Sequence, residues 1–227
     1  MAVIVIALLV LAAVFFYPKK AETPSASNVN TQAPVLSLDI SFSPSASKEI
    51  KSIISRNVSG FISSIEKNPE DPSLWLDISS QYKVAGDYGK ALSALEYAAY
   101  LSPDNYVIFH NIGDIYHYHL RDYKKAEDNY LKSISLNPGT PSSYRSLYEL
   151  YKFFYTEKSS GIPGILEKGI ASNPKSYDFM ILLARHYRDA KDSARAISYY
   201  DKAIAGVSSG DKVLAEELGT ERRALER

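Results

Sequence analysis

Apolar residues recur at helical spacing along most of this chain, and the recurrence is itself repeated. Trp75, Ile78 and Tyr82, then Ala91, Leu95 and Ala98, advance in steps of three and four, which places each trio on one face of a helix. The pair returns further on as Phe109, Ile112 and Tyr116 with Ala126, Tyr130 and Ser133. It returns again as Tyr144, Leu147 and Tyr151 with Ile162, Leu166 and Gly169, and as Met180, Leu183 and Tyr187 with Ala196, Tyr200 and Ala203. Pro69, Pro103, Pro138 and Pro174 punctuate these units at intervals of 34, 35 and 36 residues, and the tyrosines at 82, 116, 151 and 187 keep the same intervals. A period near 34 residues with two helical patterns in each period predicts stacked helix pairs. Each proline lacks an N–H and fixes φ, so it ends one helix and opens the next turn.

The separation from small residue to proline is 12 in the three units that have both, so the drift from 34 to 36 falls between tyrosine and small residue. The sequence therefore predicts that extra residues enter the turn between the two helices, where insertions cost least. The third unit has the longest such stretch and a Gly161-Ile162-Pro163-Gly164 entry, which predicts a short second helix beginning near Pro163.

Bulky residue, Leu-Gly or equivalent, tyrosine, small, large, small, proline: this order resembles the tetratricopeptide repeat, here over about 69–103, 104–138, 139–174 and 175–205. The resemblance implies an all-α, right-handed α-solenoid of antiparallel helix pairs, no catalysis and no cofactor. Residues 48–68 carry Ile50, Ile53, Ile54, Val58, Phe61, Ile62 and Ile65 at helical spacing and read as a front cap or half repeat, and 206–227 as a charged C-terminal cap.

Ahead of the array, Ala2 to Tyr17 are 16 uncharged, almost wholly apolar residues followed by Pro18-Lys19-Lys20. As a helix they span about 24 Å, against a hydrocarbon core of about 30 Å. The favoured reading is a membrane anchor over residues 1–20, with Phe15, Phe16 and Tyr17 at an interface; a cleaved signal peptide and a buried helix are the alternatives. The flanking charges do not fix which side of the membrane carries the repeats. Residues 21–47, rich in Ser, Pro, Asn and Ala, read as a disordered linker. Within it Leu36, Leu38, Ile40 and Phe42 alternate, as a docking strand or, preferably, a sticky stretch of tether.

Charge and composition narrow the function. There are 26 Lys+Arg against 26 Asp+Glu, so the basic excess expected of a nucleic-acid binder is absent. No cysteine is present, which excludes disulfides, thiol catalysis and cysteine-ligated metals. No phosphate-cradling glycine loop or nucleophile elbow appears either.

The resemblance implies a concave groove lined by the first helix of each pair. Carried over, its peptide-facing positions include Leu76 and Lys83, then His110, Asp114 and His117, then Arg145, Glu149 and Lys152, then Ile181, Arg185 and Arg188, accompanied by Val84, Tyr118 and Phe153. The cations tilt this groove positive toward its C-terminal half. His110, Asp114 and His117 share a helical face and form a weak metal candidate beside the preferred reading of polar peptide contacts. The carboxylate clamp of chaperone-binding members is missing, with Leu76, Ser80, Ser142 and Ser146 at four of its five places. The expectation is a membrane-tethered adaptor holding a protein or peptide partner. The alternative is a structural subunit of a larger membrane or envelope complex.

Overall fold

The computed structural model describes residues 33–37, 39–207 and 211–226. The proposed anchor, residues 1–20, lies outside them, and no described helix is long and apolar enough to cross a membrane. Among the described residues ten α-helices follow one another: α1 Lys48–Lys67, α2 Pro72–Ala85, α3 Tyr88–Leu101, α4 Tyr106–Asp114, α5 Tyr123–Leu136, α6 Pro141–Glu149, α7 Ile162–Ser172, α8 Tyr177–Asp189, α9 Ser193–Gly206 and α10 Lys212–Arg223. They pair as α2/α3, α4/α5, α6/α7 and α8/α9, one pair for each sequence repeat, in an α-solenoid. The flanking helices keep the same pattern. The C-terminal N–H of α1, Asn68 to Ser64 O, repeats as Ser102 to Ala98, Asn137 to Ser133 and Asn173 to Gly169, so α1 occupies the place of a second helix. Leu218-Gly219 in α10 stands where Ile112-Gly113 stands in α4, which makes α10 a first helix.

The small residues act as the periodicity predicts. Gly113 lies under the Tyr130 ring and Gly169 under Phe179, which lets neighbouring helix backbones approach. The buried core falls into two clusters, one from Ile40 to Ile115 and one from Ala126 to Leu218, and the partly buried Tyr116 packs against both.

The turns between paired helices share one construction. Asp87, Asp122 and Asp192 cap α3, α5 and α9 by accepting from the backbone N–H three residues on. The residue at that third position is Lys90, Lys125 or Arg195, and its side chain bridges back to the same aspartate. It also lies over the repeat tyrosine: Lys90 over Tyr82 at 5.9 Å, Lys125 over Tyr116 at 5.0 Å, Arg195 over Tyr187 at 4.3 Å. The residue before each aspartate takes the left-handed conformation, as Gly86, Arg121 and Lys191.

Two sequence expectations are corrected here. The extra residue of the second repeat does not enter its turn, which keeps the same left-handed residue and aspartate cap. It is absorbed inside the first helix, whose last turn, Ile115–Leu120, is π-helical. Asp122 N–H consequently reaches back to Tyr116 O, where Asp87 reaches Tyr82 and Asp192 reaches Tyr187 over one residue fewer. The third repeat adds a π-helical turn, Leu150–Phe154, and a 3-10 turn, Thr156–Gly161, ahead of α7. At 11 residues α7 is short, with Pro163 in its first turn, as expected.

The second correction concerns the linker. Over 33–37 and 39–47 the chain has no helix or strand, turns once at 44–45, and is docked rather than loose. Ser43 N–H donates to Ala85 O (2.7 Å), Ser41 N–H to Asp87 Oδ2 (3.0 Å) and Tyr82 OH to Ser37 O (3.3 Å). Ile40 is buried, with Leu36 and Phe42 packed beside it. These side chains cover the front of the core, where no preceding repeat is described.

Candidate partner-binding surface

The first helices lie side by side, tied by contacts one repeat apart. Tyr118 OH donates to Glu149 (2.9 Å), joining the second repeat to the third. Arg145 reaches Asp178 and Lys152 reaches Asp189, both at 3.1 Å, joining the third to the fourth. Arg185 grips Glu221 through two nitrogens and Glu217 at 3.0 Å, while Arg188 meets Glu221 at 2.6 Å, joining the fourth repeat to α10. Burial alone would raise the Glu221 carboxyl. Hydrogen bonds from Arg185 and Tyr200, with the charge of both guanidiniums, hold it below its ordinary value instead. Tyr200, desolvated and donating to that carboxylate, is pushed up to about 12.

These pairs correct the positive tilt read from the sequence. Arg145, Lys152, Arg185 and Arg188 are each met by a carboxylate of the same chain, so the C-terminal half of the face is internally neutralised. Ile181 is a core residue, and Leu76 packs against the front core.

His117 is corrected too: it is buried at 1 % exposure, not on the surface. Tyr130 OH donates to Asp114 Oδ1 (2.8 Å) and so accepts from His117 Nδ1 (3.2 Å), which fixes the proton on Nδ1. Burial lowers the His117 imidazole, against the opposing pull of Asp114 and Glu149, and keeps it neutral. His110 Nδ1 bonds Ser143 Oγ (3.1 Å), and its Nε2 lies 3.6 Å from Asp114. The three residues share a network in which Tyr130 takes His117 Nδ1 and an Asp114 oxygen and Ser143 takes His110 Nδ1. Among the described residues no group of three or more His, Asp or Glu side chains is arranged to hold one.

What stays open is apolar. Both π-helical turns carry exposed large side chains, Tyr118 and Leu120 in one, Phe153 and Phe154 in the other, with Val84 at the matching end of α2. The turns touch: Phe154 meets His117 edge-on at 4.7 Å and lies 6.5 Å from Tyr118. Val84, Tyr118 and Phe153 were legible by position; Leu120 and Phe154 were not, because the lengthened period does not say whether its extra residues enter a turn or a π-helical stretch.

A family model described as tetratricopeptide repeat matches residues 106–140, the second helix pair. The chain superposes on a crystal structure of MamA with a TM-score of 0.57 at 17% identity, covering 70% of this chain and 91% of that one. The fold is a tetratricopeptide-repeat solenoid. A second MamA crystal structure gives 0.57 at 17% identity over 73% of this chain and 88% of that one. MamA 41-end from Desulfovibrio magneticus RS-1 gives 0.51 at 16% identity, over 70% and 93%. No curated protein matches in sequence.

Proposed function

We propose that this chain is a non-catalytic adaptor that holds a partner protein on the concave side of its solenoid, and that residues 2–17 tether it to a membrane. The observation that carries the reading is the division of the concave side. Its C-terminal half is closed by its own ion pairs, while the first three repeats leave Val84, Tyr118 and Phe153 exposed on adjacent first helices. Exposed apolar side chains aligned across packed helices mark an interaction surface. The apolar run at 2–17 supports the tether.

Site-specific photo-crosslinking in cells tests the adaptor. Crosslinkers at Ser80 and Ser142, both exposed on first helices, should capture a discrete partner; crosslinkers at Leu131 and Lys132, exposed on the second helix α5, should not. Capture from α5 alone would overturn the reading. For the tether, the full chain should stay with membranes through alkaline extraction and a chain lacking residues 2–17 should be released. Release of both would remove the tether.

A further inference from the structure

The rim of the concave side carries a charge pattern of its own. Its exposed apolar residues sit on three short segments, 83–85, 117–121 and 152–154, at the C-terminal ends of three successive first helices. Every charged side chain on those segments is a cation: Lys83, Arg121 and Lys152. Lys152 is held by Asp189. Lys83 and Arg121 have no carboxylate or hydrogen-bond partner among the described residues, although most other arginines and lysines of the first helices do. Lys83 is close enough to His119 for its charge, after burial, to help lower that imidazole, so the first segment adjoins the second. Tyr118 and Phe154 join the second to the third.

Arg121 holds the left-handed turn position, φ 57°, that Gly86 fills in the first repeat and Lys191 in the fourth, and so belongs to the shared turn. The π-helical turns beside it are a local irregularity, and such turns concentrate at functional sites. The rim therefore presents aromatic and aliphatic surface next to two cations that no carboxylate of the described residues meets.

Resting on the adaptor reading, we infer that this rim recognises an acidic–aromatic peptide segment of the partner. Its apolar side chains would cover Tyr118, Leu120, Phe153 and Phe154, and its carboxylates would meet Lys83 and Arg121. The apolar contacts supply the affinity; the cations supply register and reject basic segments.

The test uses the purified full chain and three fluorescein-labelled 12-residue peptides. One alternates Glu/Asp with Phe/Trp, one replaces its acids by Lys, and one replaces its aromatics by Ala. Anisotropy should show the acidic–aromatic peptide binding at least about tenfold more tightly than either other peptide at low salt. Phe153→Ser with Phe154→Ser should weaken it by a similar factor. Lys83→Glu with Arg121→Asp, the latter a residue tolerated in a left-handed turn, should turn the preference toward the Lys peptide. Circular dichroism would verify that both variants keep their helix content. Equal binding of the acidic and basic peptides, no binding of any peptide, or no reversal in the charge-swapped chain would each overturn the inference. Hydrogen-exchange protection by the bound peptide separates the failures. Protection at 117–121 and 152–154 supports the rim. Protection only at 141–149 and 178–185 overturns the rim but leaves the adaptor standing, and protection only on α3 and α5 overturns both.

Discussion

Gly113→Ala is the sharpest test of how the helix pairs are joined. A Cβ built on Gly113 falls 2.6 Å from Tyr130 Cε1 and 2.7 Å from Cδ1, distances that force something to move. The Tyr130 ring is fully buried, and its hydroxyl is held from two sides, by Asp114 at 2.8 Å and His117 at 3.2 Å. Swinging the ring away therefore breaks that network as well as the packing. Overpacking a tight core costs about 1–3 kcal/mol, and strained or lost hydrogen bonds add about 1–2 kcal/mol. Alanine returns about 1 kcal/mol through helix propensity. The net expectation is a destabilisation of about 1–4 kcal/mol, a fall in Tm of roughly 3–12 °C for a domain of this size. Gly60→Ala is the matched control. Gly60 also lies within a helix, but nothing stands within 4 Å of its added Cβ, so the same substitution should stabilise by about 0.5–1 kcal/mol. Urea and thermal unfolding followed by circular dichroism measure both. Equal effects at the two positions would refute the close approach of α4 and α5 through Tyr130.

Three further outcomes follow from other parts of the fold. Removing residues 33–47 strips Ile40, Leu36 and Phe42 from the front core, so a fragment beginning at residue 48 should unfold at lower urea and be cut faster in α1 by protease; Ile40→Ala alone should cost about 1–3 kcal/mol. Glu221, depressed in the folded state, contributes stability that is present above its unfolded pKa and is lost as pH falls through the folded value. Glu221→Gln should therefore be less stable than wild type at pH 7 and converge on it as the pH falls through that depressed folded value. His117 is also depressed, so its neutral burial favours the fold above about pH 6.5 and is lost on acidification; His117→Phe should flatten the stability change between pH 7 and 5, and nitrogen-15 NMR of the wild type at pH 7 should show the Nδ1–H tautomer.

The helix pairs were legible because they are set by contacts that the period samples directly. Tyr82, Tyr116 and Tyr187 each lie under the cation three residues beyond the capping aspartate, so one fit writes one spacing. The shared turn was legible too, in Asp87-x-x-Lys90, Asp122-x-x-Lys125 and Asp192-x-x-Arg195, a capping signal four residues long that the tyrosine–proline spacing overshadows. The position of the inserted residues was not. Counting from tyrosine to alanine gives a length, and a π-helical turn absorbs one residue as readily as a longer loop does. Nor did alternation at Leu36, Ile40 and Phe42 distinguish a docked segment from a loose one. That depends on whether the front of the array has apolar surface to cover, and α1 and α2 leave it.

The face formed by the first helices shows why charge counted along one helix misleads in a repeat protein. Along the first helices Lys83, Arg145, Lys152, Arg185 and Arg188 outnumber Asp114, Glu149, Asp178 and Asp189 by one, and the sequence reads as a groove that tilts positive. A solenoid, however, sets each first helix against the next, so the relevant neighbour of a groove residue lies one period away. Arg145 and Asp178 are 33 residues apart, Arg185 and Glu221 are 36, and Lys152 and Asp189 are 37, all close to the period itself. The ruler that located the helices thus locates their ion pairs, provided acids and bases are compared one repeat apart rather than one turn apart. Applied to the first repeats, the comparison leaves Lys83 opposite His117, Tyr118 and His119, with no acid at the matching place. The electrostatic asymmetry of this solenoid lies in that absence, at the end opposite the one with more arginines.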